Sequence, residues 1–170
     1  MDGLMQRPSH PSRSALRAAL GLALLVCLNP HVFGQDTAPA SKQGPANLEI
    51  PATDDGLPGQ GTIRRYDWFK NLWRTKRTQW HRDIEPDQGA VVFFGDSIIQ
   101  SWGPNLGGSF PGLKVANRGI SGDTTRGMLL RMQSDVLDVN PSGVVMLMGT
   151  NDLEERDSAE DTAHNVRAIV

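Results

Sequence analysis

Three short apolar runs set the pattern of the second half of the chain. Val91-Val92-Phe93-Phe94 leads into Gly95-Asp96-Ser97. Leu113-Lys114-Val115-Ala116-Asn117 empties into Arg118-Gly119-Ile120-Ser121-Gly122-Asp123-Thr124-Thr125. Val144-Val145-Met146-Leu147-Met148 ends in Gly149-Thr150-Asn151-Asp152. Short apolar runs bounded by turn residues read as buried strands. Between them the period changes. Trp68, Phe69, Leu72, Trp73 and Trp80 recur at helical spacing from Tyr66 to Arg82, with Lys70, Arg74, Lys76 and Arg77 interleaved. That predicts an amphipathic helix, Asp67 at its cap, packed by its Trp face with solvated charges outside. Asp83 to Gly89, with Pro86, is a turn.

Ile98 to Trp102 predicts a short helix that starts at the Gly-Asp-Ser turn and stops before Pro104. Asn105 to Gly112 reads as loop. Met128, Leu129, Met132, Val136 and Leu137 mark the next helix, capped by Asp123 or Thr124 and ended by Asn140-Pro141. Ser158 with Asp161 resembles a capping box, opening a helix with Ala159, Ala163, Val166 and Val170 on one face. Strands alternating with helices imply right-handed crossovers and a parallel sheet. The three polar turns then gather at one sheet edge, where open α/β sheets bind ligands.

The first third of the chain reads differently. Arg7, Arg13 and Arg17 precede an apolar run from Ala18 to Leu28, too short to span a bilayer, which needs ~20 residues. Val32-Phe33-Gly34 follows as a cleavage-like end. Residues 1–34 are therefore expected to be a secretory signal peptide cut after Gly34, making the protein secreted or periplasmic with no stable membrane span after cleavage. A lipoprotein signal at Cys27 is disfavoured because Val26 is too large for the position before the cysteine. Residues 35–61, rich in Pro, Gly, Ala, Asp and Gln, are expected to be a disordered linker, and 62–170 the folded domain.

Apolar content of 38% and charged content of 21% are ordinary for a globular chain. The chain has 17 Lys and Arg and 19 Asp and Glu; residues 1–34 hold three and one of these, leaving 14 against 18. A mildly acidic mature chain argues against a nucleic-acid surface. Cleavage would also remove Cys27, the single cysteine, and with it any thiolate nucleophile or Cys-based metal site. His81 and His164 would be the remaining histidines.

Acyl transfer needs a nucleophile, a base and donors aimed at the developing oxyanion. Ser97 offers a hydroxyl at a strand-to-helix turn. Its own N–H, the N–H of Gly122 and the side-chain amide of Asn151 would form an oxyanion hole if they converge. Each piece alone is an ordinary turn residue or cap; the three in order, each after an apolar strand, are more specific. Ile99 stands where a Gly-x-Ser-x-Gly elbow needs its last glycine, which argues against the ordinary α/β-hydrolase pattern.

Phe94-Gly95-Asp96-Ser97, Asn117 to Thr125, and Gly149-Thr150-Asn151-Asp152 together resemble the SGNH (GDSL-type) hydrolase superfamily. The run from Trp80 to Val170 is similar to its platelet-activating-factor acetylhydrolase-like esterases. The resemblance implies a flavodoxin-like three-layer α/β/α fold, of which about three of five strands are present. It implies Ser97 as nucleophile and first oxyanion donor, with Gly122 and Asn151 as the other donors and Asp96, Asp123 and Asp152 in support. No cofactor or metal is implied. The substrate would be a small-molecule, lipid or acetylated carbohydrate ester, and a homo-oligomer is compatible with it. The family's C-terminal Asp-x-x-His has no counterpart up to Val170. His164 is mid-helix, about 120° from the expected apolar face, and His81 precedes the first strand. The chain is therefore expected to be part of a longer protein, with residues 35–170 alone lacking hydrolytic activity. The alternatives are a non-catalytic carbohydrate-binding module on the same fold, and phosphate or nucleotide binding at Gly119–Thr125. The second lacks a Walker lysine.

Overall fold

The computed structural model describes residues 26–28, 47–82 and 84–170. The expected signal peptide lies outside the described residues apart from Val26–Leu28, and so does the 35–46 part of the expected linker. The elements are β1 (Val26–Leu28), α1 (Asp67–Arg82), β2 (Val91–Gly95), α2 (Ser97–Ser101), β3 (Val115–Gly119), α3 (Thr125–Asp135), β4 (Gly143–Leu147), α4 (Thr150–Glu154) and α5 (Ala159–Ile169). They form an α/β domain around one sheet of order β1-β4-β2-β3. The central strand β2 runs parallel to both β3 and β4, with Gly95 opposite Gly119 on one side and Leu147 on the other. Three strands therefore end in register, and their polar turns share one edge. The short β1 pairs antiparallel on the outer edge of β4.

Strand alternation sorts the core into two layers. Val92, Phe94, Ala116, Val144 and Met146 face Met128, Met132 and Val136, with Ile169 of α5. Phe93, with Val91, Val115, Val145 and Leu147 partly buried beside it, faces Ile99 of α2 and Leu106 on the opposite side. Helix α1 packs Phe69 and Trp73 against Ile120 beside α3.

Several expectations are corrected. The second strand is shifted two residues on, because Leu113 is exposed after the Phe110 turn and Arg118-Gly119 continue the ladder. The third strand begins at Gly143 and ends at Leu147. The loop after Gly103 is a compact turn over Pro104–Gly108, with Asn105, Leu106 and Gly107 in the left-handed region. The Thr150–Glu154 turn is a helix. Helix α5 buries Thr162, Asn165 and Ile169, leaving Ala159 and Val170 exposed: Asn165 donates inward to the Thr125 hydroxyl, and the Thr162 hydroxyl donates to the Ser158 carbonyl one turn back. Leu137 is exposed. Arg77, expected among the solvated charges, is buried in a two-oxygen contact with Asp135 at 3.0 Å.

Residues 47–61, expected as linker, are instead strapped to the domain. Arg126 donates to the carbonyls of Pro58 and Gly61 and pairs with Asp54 at 2.6 Å. Asn165 bonds both the N–H and the carbonyl of Gln60 at 2.8 Å. Composition predicted disorder because the segment has few apolar side chains; its order comes from polar bonds supplied by distant residues.

Candidate active site

The β2 turn begins at Asp96, which caps α2 by accepting the Ile98 N–H at 2.9 Å. That cap leaves Ser97 exposed at the first position of the helix. Asp96 is itself fully buried; burial raises its pKa, opposed by the Ile98 N–H and reinforced by the charge of Asp152.

The β3 turn is held close to α2. Gly119 lies so near the Gln100 backbone that a Cβ would overlap it. Ser121 donates its N–H to Gln100 Oε1 at 2.8 Å. Gly122 then adopts φ +85°, a left-handed conformation that favours glycine. It is buried: a Cβ there would come within 2.7 Å of Trp68 Cη2 and 3.0 Å of Arg64 Nη1. Thr124 caps α3 by accepting from Gly127 N–H, which decides between the two expected caps.

Asn151, near the start of α4, links all three turns. Its Nδ2 donates to the Asp123 carbonyl at 2.8 Å and reaches Asp96 Oδ2 at 3.4 Å. Gly122 directly precedes Asp123, and Ser97 directly follows Asp96. The structure thus brings the three expected site residues onto one hydrogen-bonded framework. Asn151 is 8% exposed, so its amide is built into that framework and is not a free arm in the crevice.

Two further carboxylates lie beneath. Asp152 is fully buried and accepts the Thr125 N–H at 3.0 Å and the Thr125 hydroxyl. Its pKa is raised by burial against the opposing pull of Thr125. Asp123 accepts from Arg131 Nε at 2.7 Å through Oδ2, while Oδ1 has no hydrogen-bond partner among the described residues. Complete burial pushes its pKa up to about 7, outweighing Arg131, with the charges of Asp135 and Asp152 adding to the rise. Arg131 is shared: it also donates to the carbonyls of Arg118 and Gly95.

Neither His81 nor His164 belongs to this edge. His81 lies in the last turn of α1, its Nε2 2.9 Å from Asp135 Oδ1, whereas Trp68 in the first turn is the residue that reaches Gly122. His164 is exposed on α5. Arg64 was not anticipated as a site residue. It has no motif, and its partners stand about 90 residues away in sequence.

Residues 93–170, which contain all three turns, match the GDSL-like lipase/acylhydrolase family. Over this stretch the chain is similar to the SGNH/GDSL hydrolase superfamily. It is 32% identical over 105 residues to the platelet-activating factor acetylhydrolase IB subunit alpha2 of Homo sapiens, covering 58% of this chain and 43% of that protein. With the alpha1 subunit of Rattus norvegicus it shares 30% identity over 135 residues, 75% of this chain and 50% of that protein. The chain thus spans about half the length of these relatives. Among solved structures, a GDSL-like lipase from Bacteroides thetaiotaomicron aligns with 28% identity and a TM-score of 0.45, covering 55% of this chain and 50% of that one. Among the described residues, no helix is long and apolar enough to cross a membrane.

Proposed function

We propose that the protein carrying this chain is a secreted serine esterase. Ser97 Oγ attacks the carbonyl carbon of an ester as its proton passes to a histidine outside this chain. The tetrahedral oxyanion is held by the N–H groups of Ser97 and Gly122 and by Asn151 Nδ2. Collapse expels the alcohol, which takes the proton back from the histidine. Water then attacks the acyl-serine and releases the acid. The observation that carries this reading is the Asn151 bridge: one amide bonds the residue after Gly122 and reaches the residue before Ser97. One Nδ2 hydrogen is committed to the Asp123 carbonyl. The other meets Asp96 only at 3.4 Å, a long contact that an oxyanion would outcompete.

Secretion rests on the N-terminal pattern. Cleavage after Gly34 would also remove β1 and uncover the β4 edge. The substrate belongs to the small acyl, lipid or acetylated carbohydrate esters. The full-length protein is expected to hydrolyse p-nitrophenyl acetate, and Ser97→Ala to lower kcat by at least about 10³. Turnover by Ser97→Ala at the wild-type rate would reject the assignment.

A further inference from the structure

The side-chain amide of Asn151 has two chemically different ends, and something must choose between them. Its oxygen only accepts and its NH₂ only donates. On one side stand acceptors, the Asp123 carbonyl and Asp96 Oδ2. On the other stands Arg64, whose Nη1 lies 3.4 Å from Asn151 Oδ1. A guanidinium cannot accept, so a flipped amide would set NH₂ against N–H and oxygen against oxygen at once.

We infer that Arg64 is the positioning residue of this site, fixing the Asn151 amide with its NH₂ toward the oxyanion position; this rests on the esterase reading above. Arg64 is itself held rigidly. Its Nε donates to Glu155 Oε1 and its Nη2 to Glu154 Oε2, both at 2.5 Å, and the residue is 6% exposed. The Glu154 side chain is 71% exposed and that of Glu155 only 16%, so Glu155 is the stronger anchor. Two carboxylates surround one cation, so Arg64 adds no net positive charge to the site. Its effect is directional, and it needs the planar fork: three nitrogens at fixed angles address Glu155, Glu154 and Asn151 separately. Nη1 also lies against Gly122, 3.0 Å from where a Cβ would stand, so the same group braces two proposed oxyanion donors.

The test is a double-mutant cycle between Arg64→Lys and Asn151→Ala in the full-length protein, with p-nitrophenyl acetate as substrate and phenylboronic acid as tetrahedral probe. Lysine keeps the charge but not the fork. Arg64→Lys is expected to lower kcat about tenfold with KM changed less than about twofold, and to weaken boronate binding in parallel. In the Asn151→Ala background the same change is expected to cost less than about threefold, because only the contact with Gly122 is left to disturb. Equal losses in both backgrounds, or a wild-type kcat in Arg64→Lys, would overturn the proposal. Glu155→Gln, which loosens the guanidinium without touching Asn151, is expected to give a smaller loss of the same kind. It supplies the cycle if Arg64→Lys does not fold. Failure of the esterase reading is separately visible, as full activity in Ser97→Ala.

Discussion

The Asp152 carboxylate accepts both the backbone N–H and the hydroxyl of Thr125, joining the start of α4 to the first residue of α3. Both groups are buried, so neither has water as an alternative partner. Asp152→Ala would orphan a helix N-terminal N–H and a hydroxyl together. The expected cost is about 3 kcal/mol, read as a lower urea midpoint at unchanged slope. Asp152→Asn keeps one acceptor and is expected to cost about 1 kcal/mol. Equal stability of the two variants would show that hydrogen-bond acceptance is not what the site requires.

Asn151 makes the corresponding link for chemistry. Without substrate its Nδ2 already bonds the Asp123 carbonyl while Arg64 faces its Oδ1, so the donor is oriented in advance. Asn151→Ala is expected to lower kcat by about 10²–10³ with little change in KM, the pattern of a contact made in the transition state. A rise in KM alone would instead place Asn151 in ground-state binding.

The three strands and the polar turns after them are legible in the sequence, the second strand within two residues and the third within one, because each couples an apolar run to a glycine-containing turn. The cap at Ser158 is legible for a similar local reason, and that at Thr124 as one of two candidates with Asp123. What was not legible is long-range and polar. Nothing near Arg64 announces Glu154, Glu155 or Asn151, and nothing near Asp54 or Gln60 announces Arg126 or Asn165. Helix α5 was rotated in the reading because its buried face carries Thr162 and Asn165, polar residues that hydrophobic periodicity counts as outward. Arg77 was misplaced for the same reason: a charge paired with Asp135 looks solvated in sequence.

Two glycines define how closely the elements approach, and they separate stability from activity. Gly119 has ordinary extended backbone, but its hydrogen faces the Gln100 backbone. Gly119→Ala must push α2 off β3, an overpacking expected to cost about 2–3 kcal/mol. Gly122→Ala meets side-chain atoms of the half-exposed Trp68 and of Arg64 instead of backbone, and adds the strain of φ +85°. Its expected stability cost is smaller, about 1–2 kcal/mol. Its expected effect on kcat is larger, about 10²-fold, because the N–H and Arg64 shift together. Thermal melting and kcat measured on both variants check the pair. The opposite ranking in either quantity would contradict this geometry.

The last prediction concerns pH. Burial pushes the pKa of Asp123 up to about 7: among the described residues one of its oxygens is unpartnered and its one ion pair is to an arginine that also serves two carbonyls. In the unfolded chain its pKa is the ordinary 3.8. Between those values the folded state holds the proton more tightly than the unfolded state. The contribution of Asp123 to stability is therefore fully present below about 4 and declines as pH rises toward about 7. The slope is isolated by difference, since Asp135 shifts downward and contributes with the opposite sign. Asp123→Asn cannot titrate, so wild type is expected to lose stability relative to this variant between pH 4.5 and 7. The difference is expected to level off above about 8. Urea denaturation of both proteins at three pH values reads it. A constant difference across that range would mean that Arg131 holds Asp123 ionised throughout, and that burial does not control the titration.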